Sequence, residues 1–161
     1  MENQNKTYIE LLIDITTKKE KILSEMILKT IKQSSCLKQD EFDEDLFDSI
    51  YKEKEQMIKE IQRLDDGFHQ IYGRISEELK KQQVTYEKEL KRLQGLIRSV
   101  ADKGIQVQRL ETENRVLCEE RFSSQRRKVK DMKISKKTAS MYYKNMMGLT
   151  NQQSFFYDKS K

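Results

Sequence analysis

The chain has 161 residues, of which 37% are charged and 35% hydrophobic, with no proline and only five glycines. This balance is too polar for a thick globular core and suits helices that each bury one narrow stripe. No apolar run approaches the roughly 20 residues that span a bilayer, and MENQNKTYIE lacks the basic-then-apolar pattern of a secretory leader, so a cytoplasmic location is expected.

The first helix is expected over about 5–34. Tyr8, Leu12, Ile15, Lys19, Ile22 and Met26 alternate steps of four and three, which keeps one face toward a partner. Leu11, Leu23, Ile27 and Ile31 widen the stripe. A polar segment, SSCLKQDEFDED, then carries the acids Asp40, Glu41, Asp43, Glu44 and Asp45. They fit a loop and the first turn of a helix, where carboxylates meet the positive end of the dipole. A calcium loop would need a glycine at its turn, and the segment has none.

The second helix is expected over about 45–81. Phe47, Ile50, Lys54, Met57, Ile61, Leu64, Phe68, Ile71 and Ile75 form an unbroken heptad seam. It passes in phase through Asp65-Asp66-Gly67, which places that turn-like string inside the helix. The third helix is expected over about 85–125, with Tyr86, Leu90, Leu93, Ile97, Val100, Gly104 and Val107 on its seam. Leu110, Asn114 and Leu117 follow, and the step of three from Val107 to Leu110 reads as a stammer. One continuous helix from Phe47 to Phe122 would be about 114 Å long. A bend between Lys81 and Thr85 would instead bury both seams against each other, and this is the favoured reading.

The expected architecture is therefore all-α: long antiparallel helices forming a coiled-coil-like hairpin or three-helix bundle over 1–127, followed by a mobile amphipathic segment, 128–161. The two parts differ in charge. From Arg121 to Lys161 there are 11 basic and 2 acidic residues, whereas residues 1–120 hold 21 basic and 25 acidic ones. Cations dominate from Arg126 to Lys137. Tyr142, Tyr143, Met146 and Met147 then cluster within two turns, and Phe155, Phe156 and Tyr157 lie near the end. Termini are normally the cheapest place to be polar. An amphipathic helix seated in a partner's groove uses anchors spaced i and i+4, as Tyr142 with Met146 and Tyr143 with Met147 are. Methionine also adapts to varied apolar surfaces.

No catalytic constellation emerges, and no enzyme, cofactor, metal or small-molecule substrate is expected. His69 is the single histidine and has no positioned nucleophile. Asp65 and Asp66 are adjacent and point about 100° apart on a helix. Cys36 and Cys118 are two lone thiols, too few for a zinc site and without the secretory context of a disulfide. Neither phosphate-cradling glycine string is present. The basic stretch could attract phosphates, but no base-reading motif accompanies it. Its apolar face is short for a membrane-surface helix.

Several strings carry a family resemblance. ISKKTASMYYKNM, from Ile134 to Met146, and QSFFYDKSK, from Gln153 to Lys161, together with LDDGFHQIYGRI, Leu64 to Ile75, and KRLQGLI, Lys91 to Ile97, resemble clostridial flagellar export chaperones of the FlgN type. The resemblance spans most of the chain, although the family has no short diagnostic motif. It implies a cytoplasmic chaperone for hook-associated (hook–filament junction) proteins that keeps them unassembled before type III export and works with the export machinery. It also implies binding through the C-terminal region, with Ile134, Tyr142, Tyr143, Met146 and Met147 as anchors and Phe155 and Phe156 as further contacts. The competing reading is a structural or adaptor coiled-coil protein that self-associates, for example as a homodimer, through the Phe47–Ile75 seam.

Overall fold

The computed structural model describes residues 2–123. Among them are three α-helices and no strand: α1 (Glu2–Lys38), α2 (Glu44–Lys81) and α3 (Glu87–Phe122). The helices have 37, 38 and 36 residues, each about 55 Å long. They run up, down and up as an all-α three-helix bundle. α1 packs against both other helices, whose own backbones stay further apart. The expected second part, 128–161, and its expected mobility fall outside the described residues.

Helix ends follow the local chemistry. Asp43 caps α2, its Oδ1 accepting from the Leu46 amide at 3.0 Å, with Glu44 and Asp45 in the first turn and Lys80 and Lys81 in the last. The acid-rich string is thus a cap and first turn. α1 extends to Lys38, so the loop is confined to residues 39–43 and most of the segment read as polar linker is helical. Residues 82–86 turn the chain between α2 and α3. The Gln82 amide donates to the Glu78 carbonyl at 2.9 Å, and the Leu90 amide donates to the Tyr86 carbonyl at 2.8 Å. No described residue has a positive φ, so this reversal needs neither glycine nor proline.

The buried line of α1 is offset from the expected one. It runs Asn5, Ile9, Leu12, Thr16, Lys19, Leu23, Met26, Thr30, Gln33 and Leu37. Steps of four and three alternate without error. Leu12, Lys19 and Met26 belong to both lines, whereas Tyr8, Ile15 and Ile22 are only half-buried and Leu11 and Ile31 are exposed. The difference arises because half of the true line is polar, and a search for apolar residues skips those positions. The same cause removes the stammer in α3. Glu111 takes the heptad position after Val107, with Leu110 half-buried beside it, and the line continues in phase through Asn114 and Cys118 before a second step of four reaches Phe122.

Three apolar clusters fill the axis. One joins Ile9, Leu12 and Ile13 to Phe68, Ile75, Leu79, Leu90, Leu93 and Ile97, with Tyr86 closing its end. The second gathers Leu23, Met26, Ile27, Ile58, Ile61, Val100 and Val107. The third, at the α1–α2 turn, holds Leu37, Cys118 and Phe122, with Phe42 and Phe47 against them.

Gly67 lies inside α2, as the seam requires. A Cβ built there would meet only Ile15 Cδ1, at 3.6 Å, an ordinary packing distance. Gly67→Ala is therefore expected to stabilise the chain by about 0.5–1 kcal/mol through helix propensity, measured as a higher urea midpoint with an unchanged slope.

Candidate functional site

The residues expected to bind a partner, Ile134, Tyr142, Tyr143, Met146, Met147, Phe155 and Phe156, all lie outside the described residues. The described bundle contains what those residues are attached to, and its polar interior sets that geometry.

Polar cross-sections separate the apolar clusters. Between the first and second, Lys19 of α1 donates to Asp65 Oδ1 of α2 at 2.7 Å, with side chains 3% and 9% exposed. Burial is the largest influence on each group: it lowers the Lys19 pKa and raises that of Asp65, while the mutual attraction opposes both shifts. Desolvation disfavours the charged forms here. The neighbouring Thr16 satisfies its hydroxyl on the Leu12 carbonyl at 2.7 Å, the back-bond that lets a threonine sit inside a helix core.

Between the second and third clusters the network is larger. Lys54 of α2 donates to Gln33 Oε1 of α1 at 2.7 Å and pairs with Glu111 of α3. Asn114 Nδ2 donates to the Thr30 carbonyl at 3.0 Å, and its Oδ1 accepts from Ser34. The Thr30 hydroxyl returns to the Met26 carbonyl at 2.7 Å. Near the other end of the bundle, Asn5 donates to Glu78. Lys19, Lys54 and Asn114 were legible as seam positions. Their partners Asp65, Gln33 and Glu111 were not, because nothing in the sequence pairs one helix with another.

The third cluster lies where α3 ends and the basic segment begins. The Arg121 guanidinium donates to the carbonyls of Leu37 at 3.1 Å, Gln39 at 2.6 Å and Asp40 at 3.0 Å. It also lies 5.2 Å from the centre of the Phe42 ring. Phe42 in turn stands edge-on to Phe122 at 4.8 Å between ring centroids. Arg121 thereby satisfies carbonyls at the end of α1 that no further helical turn can serve, and it ties the α1–α2 turn to the last turn of α3. The anchor of the C-terminal segment is thus fixed by three forked hydrogen bonds and an aromatic contact.

Other candidate groups take structural places. Both cysteines are free and buried. Burial pushes the Cys118 thiol up to about 11, and Cys36 shifts in the same direction for the same first cause; protonated buried thiols are poor nucleophiles. His69 is half-buried beside Phe68, their ring centroids 6.4 Å apart. Among the described residues no cluster of three or more metal-ligating side chains occurs, and no helix is long and apolar enough to cross a membrane. No protein-family model, curated protein or solved structure matches the chain.

Two expectations follow. Lys19→Met leaves Asp65 buried without its ammonium and is expected to destabilise the chain by about 3–5 kcal/mol at neutral pH, whereas Lys19→Met with Asp65→Leu recovers most of that loss. In the single variant the Asp65 carboxyl keeps its burial and loses the partner that lowered its pKa. A carboxyl whose folded pKa exceeds its unfolded one favours folding below that value, and the gain disappears as pH rises through it. The deficit should therefore shrink between pH 7 and pH 5, as read by denaturant titration at each pH. Separately, Arg121→Ala is expected to cost about 2 kcal/mol, and Arg121→Lys not to restore it, since one ammonium cannot reproduce the planar fork.

Proposed function

We propose that the protein is a cytoplasmic, non-enzymatic chaperone of the flagellar export type. On this reading it holds hook-associated proteins unassembled before type III export. The three-helix body acts as a rigid handle, and the segment from Ile134 to Met147 is the principal partner-binding element. Tyr142, Tyr143, Met146 and Met147 are its anchors, with Phe155 and Phe156 in supporting contact.

The observation that carries this reading is the burial of the Phe47–Ile75 seam. Ile50, Ile61, Leu64, Phe68 and Ile75 are each at most 5% exposed within the single chain. With these five buried and Phe47, Met57 and Ile71 half-buried, little of that seam is left for pairing with a second copy, which favours this reading over a self-associating coiled coil. The body also closes most of its interior polar groups on one another. The basic C-terminal segment retains anchors at helical spacing, and a groove-seated amphipathic helix is a recurring mode of peptide recognition. The family resemblance, carried most specifically by ISKKTASMYYKNM, supplies the partner class. The surrounding cations aid solubility and encounter, while the aromatic and methionine anchors give specificity. Capture that orders a segment yields less net affinity than its contacts alone would give, which suits a chaperone that must release its cargo.

The test is a pull-down with hook-associated proteins, comparing the full chain with a full-length variant carrying Tyr142→Ser, Tyr143→Ser, Met146→Ser and Met147→Ser. Capture is expected to fall by at least about a hundredfold, roughly 3 kcal/mol, with helical content by circular dichroism unchanged. Undiminished capture would sink the proposed role of the segment.

A further inference from the structure

Exposed aliphatic side chains gather on one flank of the bundle, where α1 and α3 lie side by side. Leu28 is 68% exposed there, Val116 44% and Ile31 43%. Leu110 and Leu117 are half-buried between them. Single exposed aliphatics are ordinary, whereas a shared patch points to a partner. Contacts between α1 and α3 fix the position of this flank. Lys103 donates to Ser24, Asn114 to the Thr30 carbonyl and Arg121 to the Leu37 carbonyl. The two helices therefore run in the same direction, and residues at one height differ by 79 to 84 in number.

Charge is sorted on the same flank. At about 100° per residue, the outer strip of α1 beside α3 carries Lys21, Leu28, Ile31 and Lys38. The strip of α3 beside α1 carries Asp102, Arg109, Glu113, Val116 and Glu120. All of these are exposed. Over this length the α1 strip presents cations without an acid, and the α3 strip presents three acids against one cation. Toward the other end of the bundle the signs exchange, with Glu10 on α1 and Arg92 on α3. Two adjacent strips of opposite charge, with aliphatic side chains between them, form a face whose complement is a copy of itself.

We propose that this flank binds a second copy of the chain, in a twofold dimer that lays α1 of each protomer on α3 of the other. A twofold axis parallel to the helices brings residues of equal height together. Lys21 then meets Asp102, Lys38 meets Glu120 and Glu10 meets Arg92, each pair at the same separation in number as the α1–α3 contacts within one chain. Leu28, Ile31, Leu110 and Leu117 of both copies come together at the centre. A twofold axis across the helices would instead set the lysines of α1 on each other and the acids of α3 on each other. From Glu10 to Lys38 the flank is about 42 Å long and about 20 Å wide. It therefore offers about 800 Å2 per copy, the size of a standard specific interface. The α2 seam stays inside each chain, so this pairing differs from a coiled coil formed through Phe47–Ile75.

The test uses the full chain alone, so it and the capture of hook-associated proteins succeed or fail separately. Sedimentation at low salt and up to about 100 μM chain is expected to show a monomer–dimer equilibrium, as suits an interface of this size and polarity. Leu28→Lys, at an exposed position, is expected to weaken the dimer by at least about tenfold with helical content unchanged. Two further chains test the arrangement. One carries Lys21→Glu and Lys38→Glu, the other Asp102→Lys and Glu120→Lys. Each alone sets like charges together and is expected to lose about tenfold or more in self-association. Mixed, they restore every pair and are expected to form a one-to-one dimer of about the original affinity. A chain that stays monomeric at every concentration overturns the proposal, and assigns the patch to a different partner. A dimer that Leu28→Lys leaves unchanged overturns it as well, since the contact then lies elsewhere. So does failure of the two reversed chains to pair when mixed.

Discussion

The ion pair between Lys19 and Asp65 fixes how the rest of the structure fits together. Long helices with heptad seams can slide past one another by whole repeats at little loss of apolar contact. A buried ammonium and carboxylate remove that freedom, because any other register would leave each charge among leucines and isoleucines. The Lys54, Gln33 and Glu111 network repeats the device further along and extends it to α3. On α1 the polar positions recur two heptads apart, from Asn5 to Lys19 to Gln33 and from Thr16 to Thr30. The bundle is therefore a stack of apolar blocks divided by polar cross-sections. Each block drives association, and each polar section permits only one alignment.

The energetic consequence is a body ordered by specificity as much as by stability. Burial shifts Lys19 and Asp65 toward their neutral forms, so their pairing offsets a penalty more than it adds a surplus. The threonines of the seam cover their own hydroxyls on backbone carbonyls one turn back and contribute methyl packing without requiring a partner helix. Arg121 performs the corresponding service at the end of the bundle, where it binds the α1–α2 turn to α3. A handle built in this way holds the origin of the C-terminal segment still. In the proposed function this confines the search of the anchors to the region around one end of the bundle.

Some of this was legible in the residues. Most of the α2 seam, the helical state of Asp65-Asp66-Gly67, the capping role of Asp43 with its acidic followers, and the α3 seam as far as Val107 all follow from periodicity and local chemistry, although Phe47, Met57 and Ile71 are only half-buried and Ile58 and Leu79 are buried beside the expected α2 line. The reversal near residues 82–86 was favoured only because an exposed seam needs cover; the turn itself uses ordinary backbone angles and leaves no glycine or proline signal. The α1 line and the step after Val107 on α3 differ from expectation for one shared reason. Both place polar side chains at buried positions, and apolar periodicity cannot register a residue that is buried because of what faces it. The residues proposed to bind a partner, from Ile134 to Phe156, rest on spacing and resemblance alone.

The sequence by itself determined that the described residues are helical, where their long helices lie, and that a mildly acidic stretch is followed by a basic one with tyrosines and methionines at helical spacing. Those properties are local or compositional: propensity, repeat spacing and charge count need no knowledge of neighbours. Only the tertiary structure decided which lysine meets which carboxylate, that most of the α2 seam is buried within one chain, and that α2 and α3 stand apart. These depend on the distance between groups far apart in sequence, which is set when three long helices settle into a single register.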